Sequence, residues 1–130
     1  MREWIGRCGP AIIVMGLIFA ASSTPGSDLP KFGAWDIFAK KGGHMLGYAL
    51  LSASYFHVLN NGKKIKGVHF FSALILAILY SITDEYHQIF TPGRTASPID
   101  VCIDATGGFV GLGLWCLIKT RFWDRRRRAE

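Results

Sequence analysis

The sequence predicts an all-α protein: a four-helix transmembrane bundle with short loops, a single domain over residues 1–130 and a polar pocket at the extracytoplasmic face. Half of the residues are hydrophobic and the mean hydropathy is +0.26, which is typical of membrane proteins rather than soluble domains. Apolar segments of membrane-helix length alternate with short polar stretches. Most basic residues fall on one side of these segments, as the positive-inside rule describes.

Four apolar segments are predicted to be helices. The predicted ranges are about 5–23, 42–59, 67–89 and 99–118. Each has close to the roughly 20 residues that a helix needs to cross a hydrocarbon core of about 30 Å. The turn sequence Thr24-Pro25-Gly26 ends the first segment, Asn60-Asn61-Gly62 closes the second, and Lys119 with the basic tail closes the fourth.

The first segment has an alternative interpretation as a cleaved signal peptide. Arg2 and Arg7 would form its positive region, and Ala20-Ala21-Ser22 would supply the small residues near a cleavage site. Its removal would leave three spans and place the C-terminal tail outside the cell. The sequence leaves both interpretations open.

The distribution of basic residues predicts the orientation. If four helices alternate across the membrane, the N-terminus, the loop between the second and third helices and the C-terminal tail share one side. That side receives eleven of the fifteen basic residues: Arg2, Arg7, Lys63, Lys64, Lys66, Lys119, Arg121 and Arg125–Arg128. The other side receives Lys31, Lys40, Lys41 and Arg94. The positive-inside rule therefore predicts a multi-pass protein of the cytoplasmic (inner) membrane with both termini in the cytoplasm.

Charge and cysteine content argue against two classes of protein. The net charge of +6 does not indicate nucleic acid as a partner, because no segment resembles a nucleic-acid-binding module. Arg125–Arg128 serve most simply as a topology anchor that attracts anionic lipid head groups. Cys8, Cys102 and Cys116 show no C-x-x-C spacing, so neither a zinc ribbon nor a disulfide framework is indicated.

Four acidic residues at the predicted outer ends of the third and fourth helices are difficult to explain as solvated loop residues. They are Asp84, Glu85, Asp100 and Asp104. Asp100 and Asp104 lie one turn apart on one helix face, with a rise of about 6 Å between them, and Gln88 has the same spacing from Asp84. Ionisable residues in or beside a membrane span face the bundle interior and mark functional sites. An ion carrier would need such residues across the whole bilayer, whereas these gather at one end.

Two further segments bring polar side chains to the same depth. Lys41, His44 and Tyr48 form one stripe near the outer end of the second helix, because they are three and four residues apart. Pro92-Gly93 suits a type II turn that directs Arg94 toward the bundle. A guanidinium there would bind phosphate or carboxylate bidentately.

Gly107 and Gly111 form a small-x-x-x-small surface on the fourth helix, which allows close approach of another backbone. The approaching backbone is either another helix of the same chain or a second copy of the chain in a homodimer.

Several of these residues belong to motifs that extend over all four predicted helices. The motifs are Ser22-Ser23-Thr24-Pro25, Lys41-x-x-His44-x-x-x-Tyr48-x-x-Leu51 and Asp84-Glu85-x-x-Gln88-x-Phe90-x-Pro92-Gly93-Arg94-x-x-Ser97-x-x-Asp100, followed by Gly107 and Gly111. By these motifs the chain resembles the VanZ-like family of small bacterial membrane proteins, whose founding member is associated with teicoplanin resistance. Lys40 departs from the acidic residue that the family tends to carry there. Asp104 departs from the usual Asn, which can donate a hydrogen bond that an ionised carboxylate cannot.

The resemblance implies a four-helix membrane protein with a polar pocket open to the outer leaflet. VanZ-like proteins are grouped with phosphatidylserine synthases in the proposed Lipocone superfamily, which suggests lipid head-group chemistry. The expected function is therefore that of a transferase or hydrolase for the phosphoester head group of a phospholipid or polyprenol-linked cell-envelope lipid. The expected partners are membrane lipids or a lipid-linked precursor, and the expected phenotype is glycopeptide (teicoplanin) resistance.

This hypothesis assigns roles to the residues of the outer cluster. His44 would be the general base or nucleophile, and Asp84 or Glu85 would orient it or act as an acid. Arg94 would neutralise the phosphate. The other predicted substrate-binding residues are Lys41, Tyr48, Gln88, Ser97, Asp100 and Asp104.

Three alternatives stay open. The cluster would bind a lipid-linked wall precursor or a glycopeptide without converting it, or it would be a structural lock in which Arg94 and Lys41 neutralise the carboxylates. The third alternative adds a divalent metal, Mg²⁺ or Mn²⁺, to the enzyme. Its candidate ligands, which follow no recognised metal spacing, are Asp84, Glu85, His87, Asp100 and Asp104.

Overall fold

Four α-helices make up most of the computed structural model, which describes residues 2–30, 33–61 and 65–127. They are α1 (Arg2–Ser22), α2 (Asp36–Asn60), α3 (Gly67–Gln88) and α4 (Pro98–Arg127). Two short 3-10 turns, Gly26–Asp28 and Gly33–Trp35, lie between α1 and α2. No strand is present in the described ranges, so the predicted all-α bundle of four helices is confirmed.

The helices differ from their predicted ranges mainly at two ends. α2 begins at Asp36 rather than near residue 42, and α4 continues to Arg127 rather than ending near residue 118. Hydropathy marks the apolar part of a helix, but polar residues with good helix propensity extend it. At the start of α2, the carboxylate of Asp36 is favourable in the first turn and pairs with Lys40 at 2.7 Å. Gly62, Lys31, Lys63, Lys64 and Arg128, which the sequence-based turn and charge arguments used, lie outside the described residues.

The turn after α2 begins as the sequence predicts. Asn61 adopts a left-handed conformation with φ of +47°, and its N–H donates to the carbonyl of His57 at 3.2 Å. Asn is one of the few residues other than Gly that end a helix in this way, because its side chain tolerates the left-handed region.

The interior of the bundle is as polar as it is apolar. Among the residues that the structure describes, eight hydrophobic and nine polar or charged residues are buried. The apolar buried residues form two clusters: Ile18, Tyr48, Leu51 and Ala77, and Phe56, Ala73 and Leu112. Large apolar side chains instead cover the outside of the helices, among them Ile12, Leu17, Phe71, Ile75, Leu114 and Leu117. An apolar exterior around a polar interior fits a membrane location.

Two helices are long and apolar enough to cross a membrane by length and composition. They are Gly67–Gln88 and Pro98–Arg121, and α1 adds the shorter apolar segment Gly6–Ser22. α2 contains polar residues such as Lys41, His44 and His57 that lower its hydropathy. The four-span count and the cytoplasmic position of the termini therefore stay predictions.

α1 is docked onto the bundle by polar contacts as well as by packing. It contacts α2 and α3, and the Tyr80 hydroxyl donates to the Met15 carbonyl at 2.8 Å. Removal of the first segment, as the signal-peptide interpretation requires, would also take Ser22 away from Asp84, to which it donates at 2.7 Å.

The closest helix contact joins α2 and α4 within the chain. A Cβ atom added at Gly107 would overlap the Met45 carbonyl oxygen, and one added at Gly111 would lie 2.6 Å from Cα of Ala49. The small-x-x-x-small surface is therefore used between these two helices. The homodimer stays a prediction that the contacts of a single chain do not test.

We expect Gly111→Ala to lower the free energy of unfolding by about 1–3 kcal/mol, because overpacking forces two backbones apart. Gly113→Ala is the matched control, since a Cβ there meets nothing within 4 Å, and it should be neutral or stabilising by up to about 1 kcal/mol. Thermal unfolding of both variants in detergent measures the difference. Equal unfolding midpoints would contradict the α2–α4 contact.

Candidate functional site

Polar side chains converge at one end of the bundle, where three helices and two loops meet. α2 and α4 begin there, α3 ends there, and the segments after α1 and α3 complete the wall. The helix ends enclose a cavity of about 200 Å³. Its lining consists of Leu29, Lys40, Lys41, His44, Glu85, Gln88, Gly93, Arg94, Thr95, Asp100, Ile103 and Asp104. Seven of the ten residues predicted for the site, including Arg94, line this cavity.

Three ionisable residues from three helices form the floor of the cavity. His44 of α2, Glu85 of α3 and Asp104 of α4 each place one nitrogen or oxygen within 4.8 Å of the others. The Nδ1 atom of His44 lies 3.7 Å from Oδ1 of Asp104, which is beyond hydrogen-bond distance. This group, called the floor triad below, is the only set of three such residues within reach of one metal ion in the part of the chain that the structure describes.

Asp104 is almost completely buried, and only one of its carboxylate oxygens accepts a hydrogen bond among the described residues. Its side chain is 1% exposed, and its Oδ2 atom accepts a hydrogen bond from the Ser81 hydroxyl at 2.7 Å. Its other oxygen, Oδ1, is buried and has no hydrogen-bond partner among the described residues. The free oxygen therefore faces His44. The related motif usually has an Asn here that can donate a hydrogen bond, whereas Asp104 accepts one from Ser81.

Glu85 connects the end of α3 to the beginning of α4. Its Oε1 atom accepts from Gln88 Nε2 at 3.0 Å, and Oε2 accepts from the backbone N–H of Ser97 at 2.9 Å. The hydroxyl of Ser97 itself accepts from the N–H of Ile99 at 3.2 Å, as a helix-capping residue does. Ser97 thus lies outside the cavity lining, and its hydroxyl is used at the start of α4.

Asp84 and Tyr48 lie deeper in the bundle than the cavity. Asp84 accepts from the Ser22 hydroxyl at 2.7 Å and from Gln88 at 3.2 Å, so it joins α1 to α3. Tyr48 is fully buried next to Asp84 and Asp104, and its ring stacks under that of His44 with centroids 6.5 Å apart. Both residues support the floor triad from below and neither lines the cavity.

Three basic residues form the rim of the cavity. Lys41 pairs with Asp100 at 2.5 Å and Lys40 pairs with Asp36 at 2.7 Å. The sequence marked Lys40 as an outer basic residue and as a departure from the related motif but not as a site residue, although its position beside Lys41 places it at the same end of α2. These two pairs neutralise the lysines with carboxylates outside the floor triad.

Arg94 differs from the two lysines because its hydrogen bonds go to neutral groups. Its Nε atom donates to the Thr24 carbonyl at 3.2 Å, and Nη2 donates to the Ala21 carbonyl at 2.6 Å. These carbonyls belong to the last turn of α1 and the residues after it, where a cation is favourable. Among the described residues no carboxylate pairs with Arg94. Arg94 therefore does not neutralise the carboxylates as the predicted structural lock requires.

Two glycines bring Arg94 to α1. Gly93 has φ of +72° and the Arg94 N–H donates to the Thr91 carbonyl at 3.1 Å, as the predicted type II turn requires. The N–H of Gly26 donates to the Pro92 carbonyl at 2.9 Å, and a Cβ at Gly26 would overlap the backbone of Gly93. The two turn sequences therefore pack directly on each other.

The five metal ligands that the sequence suggested do not lie together. His87 faces α1, since its Nε2 atom is 3.1 Å from the Ser23 hydroxyl and its ring stacks on Phe19. Asp84 accepts from Ser22 and Gln88, and Asp100 pairs with Lys41. Of the five suggested ligands, only Glu85 and Asp104 belong to the floor triad. Sequence reasoning also missed Ser81, although it precedes Asp84 and Glu85 by three and four residues and so shares their helix face.

A family model described as VanZ/LLP1 matches residues 9–119. This match covers most of the chain and includes every residue of the cavity lining. No curated protein and no solved structure matches the chain.

We expect Arg94→Ala to lower the free energy of unfolding by about 1.5–3 kcal/mol, because two hydrogen bonds from a charged group are lost. Arg121→Ala removes an exposed arginine and should change it by less than about 0.5 kcal/mol. Thermal unfolding in detergent compares the two variants. If both lower the midpoint equally, the bonds from Arg94 to α1 do not stabilise the fold.

Proposed function

The chain belongs to the VanZ/LLP1 family, and we propose that it acts on the phosphoester head group of a membrane lipid at the outer leaflet. The substrate would be a phospholipid or a polyprenol-linked cell-envelope lipid. The observation that carries this proposal is the cavity at one end of the bundle that combines a basic rim with a floor of imidazole and carboxylates. Such a cavity offers both anion binding and proton transfer in one place.

Arg94 is the best candidate for the phosphate-binding group. Its two hydrogen bonds to carbonyls use two of the five guanidinium N–H donors. The remaining donors and the whole positive charge are available to an anion, because no carboxylate neutralises Arg94 among the described residues. Lys40 and Lys41 extend the positive rim, although each already has an acidic partner.

The size of the cavity favours a head group over a whole lipid. A volume of about 200 Å³ is smaller than the roughly 300–1,000 Å³ of pockets that enclose drug-sized ligands. Acyl or polyprenyl chains would instead lie along the apolar exterior. Exposed aromatic side chains stand at this end of the bundle, namely Trp35, Phe38, Tyr86 and Phe90, as expected for residues at the level of the lipid head groups.

His44 is the residue best placed to move a proton. Its side chain is 21% exposed and lies beside the carboxylate of Asp104, so it is accessible from the cavity. In the proposed reaction a hydroxyl oxygen of water or an alcohol attacks phosphorus and the bond from phosphorus to the leaving oxygen breaks. His44 takes the proton of the attacking hydroxyl and returns it to the leaving oxygen. Asp84 would act indirectly, by holding Gln88 and α1.

Non-enzymatic binding of a lipid-linked wall precursor or a glycopeptide is the second candidate, and the same cavity supports it.

The structural lock has support from the Lys41–Asp100 pair and from the hydrogen bonds that join the helix ends. A lock would also satisfy its buried polar atoms, whereas Oδ1 of Asp104 and Nδ1 of His44 are buried without hydrogen-bond partners among the described residues. A role in glycopeptide (teicoplanin) resistance rests on the family resemblance alone.

The proposal is tested by lipid profiling of the purified protein in nanodiscs that contain mixed phospholipids and polyprenol phosphates. We expect mass spectrometry to detect new head-group products with the wild type. His44→Gln should reduce their formation by about 10²–10⁴-fold, the usual contribution of a general base. His57→Gln is the matched control, since it replaces an exposed histidine about two and a half turns beyond Tyr48 on the same helix, and it should leave product formation unchanged.

The outcomes separate the candidate functions. Bound lipid without conversion in the wild type would favour the binding protein, and no difference in lipid content between wild type and empty nanodiscs would favour the structural lock. Equal activity of His44→Gln and His57→Gln would remove His44 from the mechanism. Arg94→Ala is less suitable as the main variant, because it also breaks hydrogen bonds to α1.

A further inference from the structure

We propose that the floor triad of His44, Glu85 and Asp104 binds one divalent cation, with Mn²⁺ or Zn²⁺ as the ions that fit its ligands best. The three residues come from α2, α3 and α4, and their ligand atoms lie within 4.8 Å of one another. When the ion is bound, His44 would hold it through Nδ1 and would not itself be the general base, so the ion would take over activation of the attacking hydroxyl. That role rests on the proposed function, whereas the binding of the ion does not.

The separation of His44 and Asp104 suits two ligands of one ion better than a hydrogen-bonded pair. Their nearest atoms are 3.7 Å apart, too far for a hydrogen bond. Two ligands of a tetrahedral ion, with bonds of about 2.1 Å, lie about 3.4 Å apart. Glu85 completes the group from the third helix, so a small inward shift of the side chains would bring all three ligand atoms to an ion.

The buried atoms of the triad provide a second, independent observation. Asp104 is 1% exposed, and its Oδ1 atom and the Nδ1 atom of His44 are both buried without a hydrogen-bond partner in the described part of the chain. Leaving such groups unsatisfied is unfavourable, most of all for a charged one. A cation bound between them would satisfy both atoms at once.

The charges around the triad favour a cation. Lys41 and Lys40 are paired with Asp100 and Asp36, and no lysine or arginine pairs with Glu85 or Asp104 among the described residues. Two carboxylates therefore share one small space with a histidine. A divalent ion would balance their combined charge.

The neighbours of the triad hold its carboxylates as outer-shell residues hold metal ligands. Ser81 donates to Asp104 at 2.7 Å, and Gln88 and the Ser97 N–H donate to Glu85 at 3.0 and 2.9 Å. Hydrogen bonds of this kind orient the ligands of a metal site and raise its affinity. On Asp104 the donor occupies Oδ2 and leaves Oδ1 free, so the hydrogen bond selects the oxygen that would bind the ion.

The ligand types indicate which ions to test. Imidazole suits Zn²⁺ and other transition metals, while carboxylates suit Mn²⁺ and Mg²⁺. One imidazole with two carboxylates therefore favours Mn²⁺ or Zn²⁺ over Mg²⁺, which retains several waters and uses few protein ligands. Three protein ligands also leave at least one coordination position directed to the cavity, as in catalytic rather than structural metal sites.

The test measures metal binding in the absence of lipid. Detergent-solubilised full-length protein is freed of metal with EDTA, transferred to chelator-free buffer and titrated with Mn²⁺, and electron paramagnetic resonance records the free ion. We expect saturable binding of one Mn²⁺ per chain, which Zn²⁺ displaces. Glu85→Gln and Asp104→Asn should each weaken binding at least tenfold. Asp28→Asn is the control, because it neutralises an exposed carboxylate on the segment after α1 that accepts only from the Ser27 hydroxyl and so releases no lysine, and it should change the affinity less than threefold.

Absence of saturable binding by the wild type would overturn the inference. A water molecule, and not an ion, would then be the partner of the buried atoms. A loss in Asp28→Asn equal to that in Asp104→Asn would overturn it too, because binding would then depend on the total charge of the protein and not on the triad. Should Asp104→Asn fail to fold, Glu85→Gln and His44→Gln decide the question by the same criterion, with thermal unfolding as the check of integrity.

Failure of this inference can be distinguished from failure of the proposed function. Protein that binds one Mn²⁺ and converts no lipid supports the ion site and overturns only the proposed reaction. Protein that binds no ion and converts lipid after EDTA treatment overturns the ion site and leaves the reaction standing.

Discussion

The architecture depends on the burial of three carboxylates at one end of the bundle. Asp84, Glu85 and Asp104 are each less than a tenth exposed, and a membrane interior offers no water to solvate them. Each carboxylate instead accepts a hydrogen bond from another helix or from the start of one: Ser22 donates to Asp84, Ser97 to Glu85 and Ser81 to Asp104. The need to satisfy these groups internally ties α1, α3 and α4 together at the level of the cavity.

The contact between α2 and α4 determines the geometry of the floor triad. Gly107 packs against the backbone of Met45. Gly107 lies about one turn after Asp104 on α4, and Met45 directly follows His44 on α2. A larger residue at the glycine would move α4 away from α2 and carry the carboxylate away from the imidazole. The glycine surface therefore sets the 3.7 Å separation of His44 and Asp104, on which both the proposed proton transfer and the proposed ion site depend.

The rim is built by backbone contacts between two loops. The hydrogen bond from Gly26 to Pro92 and the bonds from Arg94 to the end of α1 join the segments that close the cavity on this side. Arg94 consequently has a structural role and retains its charge for an anion. A cavity with this position would take a head group from the membrane surface while the lipid chains stay outside the bundle, which is the physical basis of the proposed function.

The sequence by itself determined the all-α class, the four helices, the family resemblance that the family match confirms, and the end of the bundle at which the polar residues gather. These follow from hydropathy, turn residues and the spacing of side chains within one helix, all of which are local. Only the tertiary structure decided which polar residues face the cavity. Asp84, His87 and Ser97 have contacts toward other helices or the start of α4, whereas His44, Glu85 and Asp104 meet, because the rotation of each helix about its axis is set by packing against its neighbours.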